Sequence, residues 1–560
     1  MPKRPHSPSL DSVFSVKYPH NSSVKCPNQW PVSNFDTILS DETVLGIFAF
    51  LDPYHLCLVQ LVNKHWSRLA TDNHLWRIMF LREFSRSRLR GSRGFIAPTR
   101  EIKPLPSRAQ LHGEEYGSNE DLPENYTDWR WMFRISSNWS RGRCTATVQR
   151  ASPRPAITCP RSLSSCASLG SSMHSDNHLD FPQAAHVLLV GDLTIYASSQ
   201  TSPAPTVYIF RDNINSGMRI QCDPPSGSSV SVTTLCLDHS SARTRLAIFY
   251  SDHSWTIRTV DYERRHVTTD YTSTLSRLGS TIVGAAFHHP LLVTLSSTFR
   301  MCIYHLQTPP ATPVLKQTLS SYSGFTPLTM TIARYRAPDQ YRILLAHASP
   351  IYPAHWGPSV TDITISAQPS QSDTLLSMPN KPSDVRILSS SSTSNQFPVG
   401  WIPDGTPDGI PEELRLRWLR KVSHVSGIQT DGKFVVFASE DGGIQVYRLL
   451  RNARLLYERT LFPPTHAPSP RALSVADSRC VCATGGSGLW VWDLESGVGI
   501  QATAIRSTHV SNGPETSPMA AGSEEMLPNA PPTITRVAFD AHKIVAVDVN
   551  NALHTYSFDT

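Results

Sequence analysis

Beyond about residue 187, short apolar runs with strand-like alternation recur in pairs at a nearly fixed spacing, and this limits the fold more than any other feature. The paired units run from about 187 to 212, 232 to 261, 282 to 306, 328 to 366, 424 to 448, 472 to 494 and 534 to 558. Most successive starts lie about 45 to 50 residues apart, and Gly, Asp, Asn and Ser punctuate the strands within each unit. A unit of this length cannot cover both faces of its own sheet, so each must stack on its neighbours.

That period is the length of one blade of a β-propeller. The long interval after the fourth unit coincides with residues 367–420, which are rich in Ser and Pro and poor in aromatic residues and read as an insertion between blades. Segments near 150–180 and 498–532 share that loop-like composition. The expected propeller therefore spans 138–560 with three loop insertions.

Residues 34–84 carry a helical period instead. Ser40 can cap a helix bearing Val44, Leu45, Ile47 and Phe48; after the break at Leu51, Asp52 and Pro53 supply an N-cap and a first-turn proline. The second helix carries Leu56, Leu58, Val59, Leu61 and Val62. Trp66 and Leu69, then Leu75, Ile78 and Met79, mark two further helices on either side of the turn-forming Thr71-Asp72-Asn73. Four short helices cannot bury this much apolar surface among themselves, and the surplus argues for a partner.

Residues 1–33 are polar and read as a disordered tail. Residues 85–137 read as a linker with partial helix. Arg86, Arg88, Arg90 and Arg93 lie there in a solvated basic loop, and order resumes at Trp129, Trp131, Phe133 and Ile135.

The stretch from Leu39 to Trp76 resembles an F-box, with Leu39-Ser40 where that family usually begins Leu-Pro. In the family this hook docks a receptor onto the Skp-type adaptor of a cullin-RING ubiquitin ligase. By family placement the adaptor-facing candidates are Leu39, Ser40, Ile47, Leu51, Pro53, Leu56, Leu58, Val62, Trp66 and Trp76. The two tryptophans fit the core among the helices equally well.

The fifth and sixth units resemble WD-repeat blades. His424-Val425-Ser426-Gly427-Ile428, Asp431-Gly432-Lys433, Phe437 to Gly442 and Ile444 to Tyr447 follow the order of such a blade, with Tyr447 where Trp is usual. Trp492-Asp493 is the eponymous dipeptide. The resemblance implies structural roles for Trp492 and Asp493, and for His424, Ser439 and Asp441 hydrogen-bonded in series toward an indole. Asn138-Trp139-Ser140-Arg141-Gly142 resembles the segment that joins an F-box linker to a propeller. This makes Trp139 structural and implies that residues near Cys144 to Gln149 form the outer strand of the last blade, removing a sheet edge.

The implied fold is mainly β with a small N-terminal α domain: F-box helices followed by a WD-repeat-like, seven-bladed propeller. The implied function is that of a non-catalytic substrate-recognition subunit of an SCF-type ubiquitin ligase, binding a Skp-type adaptor and a target protein, phosphorylated or not. Related receptors read phosphorylated segments through propeller arginines, which makes Arg258, Arg300 and Arg448 the substrate-binding candidates. The alternative is a propeller scaffold or regulator that delivers no substrate.

Other chemistry finds little support. The 560 residues hold 51 basic and 45 acidic side chains, a net charge of +6 that is too weak over this length for a nucleic-acid coat. Ten cysteines include no CxxC pair, so neither a zinc site nor a disulfide framework is indicated. His174 and His178 lie in a Ser-rich segment, and Gly485-Gly486-Ser487-Gly488 precedes a strand where a phosphate loop needs a helix, so no metal, cofactor or catalytic residue is expected. No signal-peptide core or run of eighteen apolar residues is present, which leads to the expectation of a cytoplasmic or nuclear protein without membrane contact.

Overall fold

A computed structural model describes residues 39–84, 128–150, 186–211, 217–224, 227–238, 244–273, 280–307, 312–321, 324–352, 355–368, 384–393, 412–440, 443–463, 470–484, 488–509 and 533–559. The expected tail, most of the linker, the 150–180 insertion, Asp441, His174, His178 and Gly485–Ser487 lie outside these residues. The chain divides into two compact units, Met1–Leu75 and Trp76–Thr560.

The first unit is built from α1 (Asp41–Phe48), α2 (Pro53–Val59), α3 (Lys64–Ala70) and the first residues of α4 (Asn73–Glu83). Short helices need their free N–H groups satisfied, and each start supplies a side-chain acceptor. Ser40 Oγ accepts from Thr43 N at 3.4 Å, Asp52 from His55 N at 2.8 Å, Asn63 from Trp66 N at 2.7 Å, and Asp72 from His74 N at 2.9 Å. Val44, Phe48, Leu56, Leu69, Ala70 and Leu75 are buried, and Trp66 packs edge-on against Phe48 at 5.7 Å.

The second unit opens with the rest of α4, whose Trp76, Phe80 and Phe84 pack on α5 (Trp129–Arg141) through Phe133 and Trp129. Helix α5 lies partly in the segment expected as linker and continues through Asn138-Trp139. Asp128 caps its start by accepting from Trp131 N at 2.9 Å, and Gly142, at φ 65°, ends it. The expected junction is thus the last turn of a helix.

Seven sheets follow, six of four antiparallel strands and one of five. Blades 1 to 6 span 186–221, 232–273, 282–320, 325–392, 425–461 and 470–501. Blade 7 combines Ile534–Phe539, Lys543–Asp548 and Ala552–Ser557 with Arg143–Arg150 and Thr503–His509. The first strands of the seven blades neighbour one another in a closed circuit, with Ile534–Phe539 beside His186–Val190, as in a propeller. Apolar clusters fill the spaces between blades; one joins Val293, Ile303, Ile343 and Ile365 of blades 3 and 4.

Each expected unit covers the first three strands of a blade, and the fourth strands fall outside the expected pairs. In blade 4 the fourth strand is Asp384–Ser392, inside the 367–420 segment expected as loop, and Glu412–Leu419 in that segment is helix α6. Likewise Gly499–Gln501 and Thr503–His509 are strands within the expected 498–532 loop.

The ring is closed in blade 7. Arg143–Arg150 pairs antiparallel with Ala552–Ser557, placing Ala146 opposite Tyr556, and parallel on its other side with Thr503–His509. Trp139 stacks on Phe558 at 3.8 Å and donates from Nε1 to Ala541 O at 2.8 Å, while Asn138 Nδ2 donates to Phe558 O at 2.8 Å. Between blades 7 and 1, the fully buried Lys543 donates from Nζ to Asp192 O at 3.1 Å. Turn aspartates join other neighbours: Asp238 Oδ1 accepts from His289 N at 3.0 Å, and Asp431 Oδ2 from Ser478 N at 2.9 Å.

Trp492 is buried between blades 5 and 6, and Asp493 Oδ2 accepts from Ser496 Oγ at 2.9 Å to hold the following turn. Of the series expected from His424, Asp441 lies outside the described residues. His424 is exposed with Nδ1 3.9 Å from Glu440, and the buried Ser439 Oγ donates to Gly443 O at 3.1 Å. Tyr447 brings no indole N–H to satisfy; its hydroxyl donates to Gln445 Oε1 at 2.6 Å.

Candidate functional site

Helices of seven and eight residues have too little length to hide every apolar side chain, and here the excess gathers on α1, α2 and the turn after α2. Ile47 is 44% exposed, Phe50 89%, Tyr54 68%, Leu58 44%, Leu61 82% and Val62 59%. Ile47 lies on α1 with Phe50 in the turn that follows it, and Tyr54 and Leu58 stand at i and i+4 on one side of α2 with Leu61 in the turn that follows it. Single exposed apolar residues are ordinary on a protein surface; a run of six within sixteen positions (47 to 62) makes this the candidate face.

Polar groups fix this face in place. Asp41 of α1 pairs with Arg68 Nη2 of α3 at 2.5 Å, with His65 Nε2 at 3.3 Å. The His55 N–H holds the Asp52 carboxyl below the usual carboxylate range, so the start of α2 keeps a charged cap.

Among the sequence candidates, Ile47, Leu58 and Val62 are exposed, as is Ser40, while Leu39, Leu51, Pro53 and Trp66 are half-buried. Two candidates lie elsewhere. Leu56 is fully buried within its own unit, and Trp76 is buried against Phe133 at 5.3 Å, so both are core residues with no surface to offer a partner. Phe50, Tyr54 and Leu61 are absent from the sequence candidates, because apolar residues on both sides of so short a helix leave its exposed side unmarked. Ser40 has φ −70°, inside the range proline requires, and its hydroxyl provides the cap.

The three propeller arginines are not gathered into one site. Arg258 is buried and donates from Nη1 to Gln221 O at 2.9 Å, tying blade 2 to blade 1. Arg448 donates to Glu458 Oε1 at 2.6 Å and lies 3.7 Å from Glu495, which Lys433 also binds. Arg300 is half-buried, its N–H bonded to Ser296 Oγ at 3.1 Å. Arg258 and Arg448 thus serve the blade interfaces, because a guanidinium between packed sheets finds its acceptors there.

Among the described residues, no three His, Cys, Asp or Glu side chains gather where they could hold a metal, and no helix is long and apolar enough to cross a membrane.

Residues 41–82 match the family described as F-box-like. A protein named probable E3 ubiquitin ligase complex SCF subunit sconB, from Arthroderma benhamiae, is 27% identical over 124 residues, 21% of this chain and 19% of that protein. A Saccharomyces cerevisiae protein named as an F-box protein is 29% identical over 116 residues, 20% of this chain and 18% of its own. The human F-box/WD repeat-containing protein 12 is 44% identical over 46 residues, 8% of this chain and 10% of its own. The chain spans about a fifth or less of the length of these curated relatives.

Proposed function

The chain is an F-box/propeller protein, with an F-box-like domain followed by a seven-bladed β-propeller, and from that premise we propose that it is a substrate receptor of an SCF-type ubiquitin ligase. The apolar face of α1 and α2 binds a Skp-type adaptor and, through it, the cullin-RING ligase. The propeller holds a target protein for ubiquitination and degradation. The observation that carries this reading is the exposure of Phe50, Tyr54, Leu61 and Val62 within the F-box-like residues. The relatives' names support it over their matched parts.

In this role the protein's own residues make or break no covalent bond. It contributes proximity, raising the effective concentration of a target lysine at the charged ubiquitin enzyme. The closed ring suits that task because strands paired on both sides hold their geometry. The proposed setting is the cytoplasm or nucleus.

Affinity purification of the full chain under gentle conditions tests the reading. A Skp-type adaptor and a cullin should be recovered together, and the pair Phe50→Asp and Leu61→Asp should cut recovery about tenfold or more with unchanged thermal unfolding. Absence of the adaptor overturns the proposal. Adaptor recovery with no target whose half-life lengthens on depletion would make the protein a scaffold instead.

A further inference from the structure

Blade 4 departs from the scale of the other six. Its second and third strands, Ala337–Tyr352 and His355–Gln368, have 16 and 14 residues, whereas those of blade 3 have 6 each. The hairpin continues from the pairing of Ala348 with Phe325 to that of Tyr352 with His355. Those four further residues carry it about 13 Å beyond the first strand. It rises from the rim opposite the turn Asp540–His542, where Trp139 of α5 bonds to Ala541.

Helix α6 and the residues after it lie on this hairpin. Trp356 and Val422 exchange backbone hydrogen bonds of 2.8 and 3.0 Å, and Val422 is buried with Ala348 and Val360. Arg417 Nη2 donates to Pro358 O at 3.3 Å, and the Arg420 guanidinium covers the Tyr457 ring at 3.8 Å. These two cations hold the annex to the ring. Facing outward are Arg415 and Leu419, the latter at 70% exposure; Lys421 is half-buried, its ammonium 4.4 Å above the Trp418 ring and donating to Trp418 O at 3.5 Å. Nearby, Phe325 is 40% exposed and packs edge-on against Trp356 at 5.2 Å.

Residues 415–421 read Arg-Leu-Arg-Trp-Leu-Arg-Lys, four cations and no anion. Glu412 and Glu413 open the helix, so residues 412–421 carry four cations against two anions, and Glu440 stands near His424. Cations at a helix C-terminus complement its dipole, but that effect does not account for a leucine left in water among them.

We propose that this annex is a target-docking surface for an extended polypeptide segment rich in aspartate or glutamate that carries an apolar side chain onto Leu419. The assignment rests on reading the propeller as the target-holding part. Complementary charge steers and orients the segment, and the apolar contact retains it. A single exposed leucine on a two-turn helix is too small for insertion into a lipid interface, and Trp418 lies beneath Lys421 rather than open for base stacking.

The test uses the full chain purified with its adaptor and a fluorescein-labelled peptide of alternating glutamate and leucine, followed by anisotropy. A lysine-leucine peptide, a single-stranded oligonucleotide and phosphatidylserine vesicles serve as competing probes. The acidic peptide should bind, and Arg415→Glu with Leu419→Asp should weaken it about tenfold while adaptor recovery and thermal unfolding stay unchanged. Lys421→Glu alone should weaken it less. Peptide affinity unchanged in the folded double variant overturns the proposal, as does tighter binding of the oligonucleotide or vesicles through the same residues. Loss of adaptor from the unaltered chain would defeat the receptor reading separately, whatever the peptide does.

Discussion

The hook and the propeller dispose of the same kinds of side chain in opposite ways. Around α1 and α2, Phe50 and Leu61 stand in water, whereas all five residues of the second strand of blade 1, Leu193–Ala197, are buried, as are Val435, Val436 and Phe437 in blade 5. A strand between neighbouring blades is covered on both faces, so its apolar residues stabilise the ring. A short helix has neighbours on one side only, so its surplus is left for binding. Equal hydrophobicity therefore means stability in one region and, in the function proposed above, recognition in the other.

Two leucines five residues apart can break that comparison. Leu56→Ala empties a fully buried position and should lower stability by about 2 to 5 kcal/mol, measured by chemical denaturation. Leu61→Ala should change stability by no more than about 0.5 kcal/mol. It should weaken adaptor binding by about 1 to 2 kcal/mol in calorimetry. If both leucines affect stability equally, the exposed face is not a docking face.

Gly142 sharpens the contrast from the propeller side. At φ 65° it ends α5, and its carbonyl accepts from Thr503 N at 2.7 Å; an added Cβ would meet Gln501 O at 2.2 Å. Gly142→Ala should destabilise the ring by about 1 to 3 kcal/mol. Amide exchange should quicken in Arg143–Arg150, with adaptor affinity unchanged. Slow exchange there would mean that the parallel strand Thr503–His509 does not depend on this crossing.

Legibility follows the same division. The first three strands of each blade are readable because burial imposes short apolar runs and turns impose Gly, Asp and Asn. Outer strands such as His266–Ser273 are not, because one side faces water and polar residues enter freely. Thr503–His509 is hidden for another reason: its partner strand lies more than three hundred residues away, beyond any local pattern. In the hook, Ser40, Asp52 and Pro53 announce their helix starts. Which apolar side of α2 turns inward is not legible, since a seven-residue helix with apolar residues on both sides has no periodic preference. Sequence placement therefore puts Leu56 on the surface and overlooks Leu61, the reverse of their burial.

Acid should separate the propeller's packing from the hook's surface with the smallest effect of the three. Burial pushes His289, His305 and His347 below the usual histidine value, and burial together with the Arg536 charge takes His186 to about 4. A folded pKa below the unfolded 6.5 means that the unfolded chain binds protons more readily, so stability is complete above that value and declines as pH falls toward 4. Asp548 adds nothing in this window. Burial raises its pKa, but the bond and charge of His554 and the N–H groups of Ala552 and Asn550 together outweigh that and leave it below 3.8, and its contribution is lost only in stronger acid. For His186 the loss by about pH 5 is on the order of 1 kcal/mol. Arg536→Gln removes the second cause, raises the His186 pKa and should flatten the decline in denaturation midpoint between about pH 7.5 and pH 5. A steeper decline in that variant would show that Arg536 supports the inner strand by packing rather than by opposing a proton on His186.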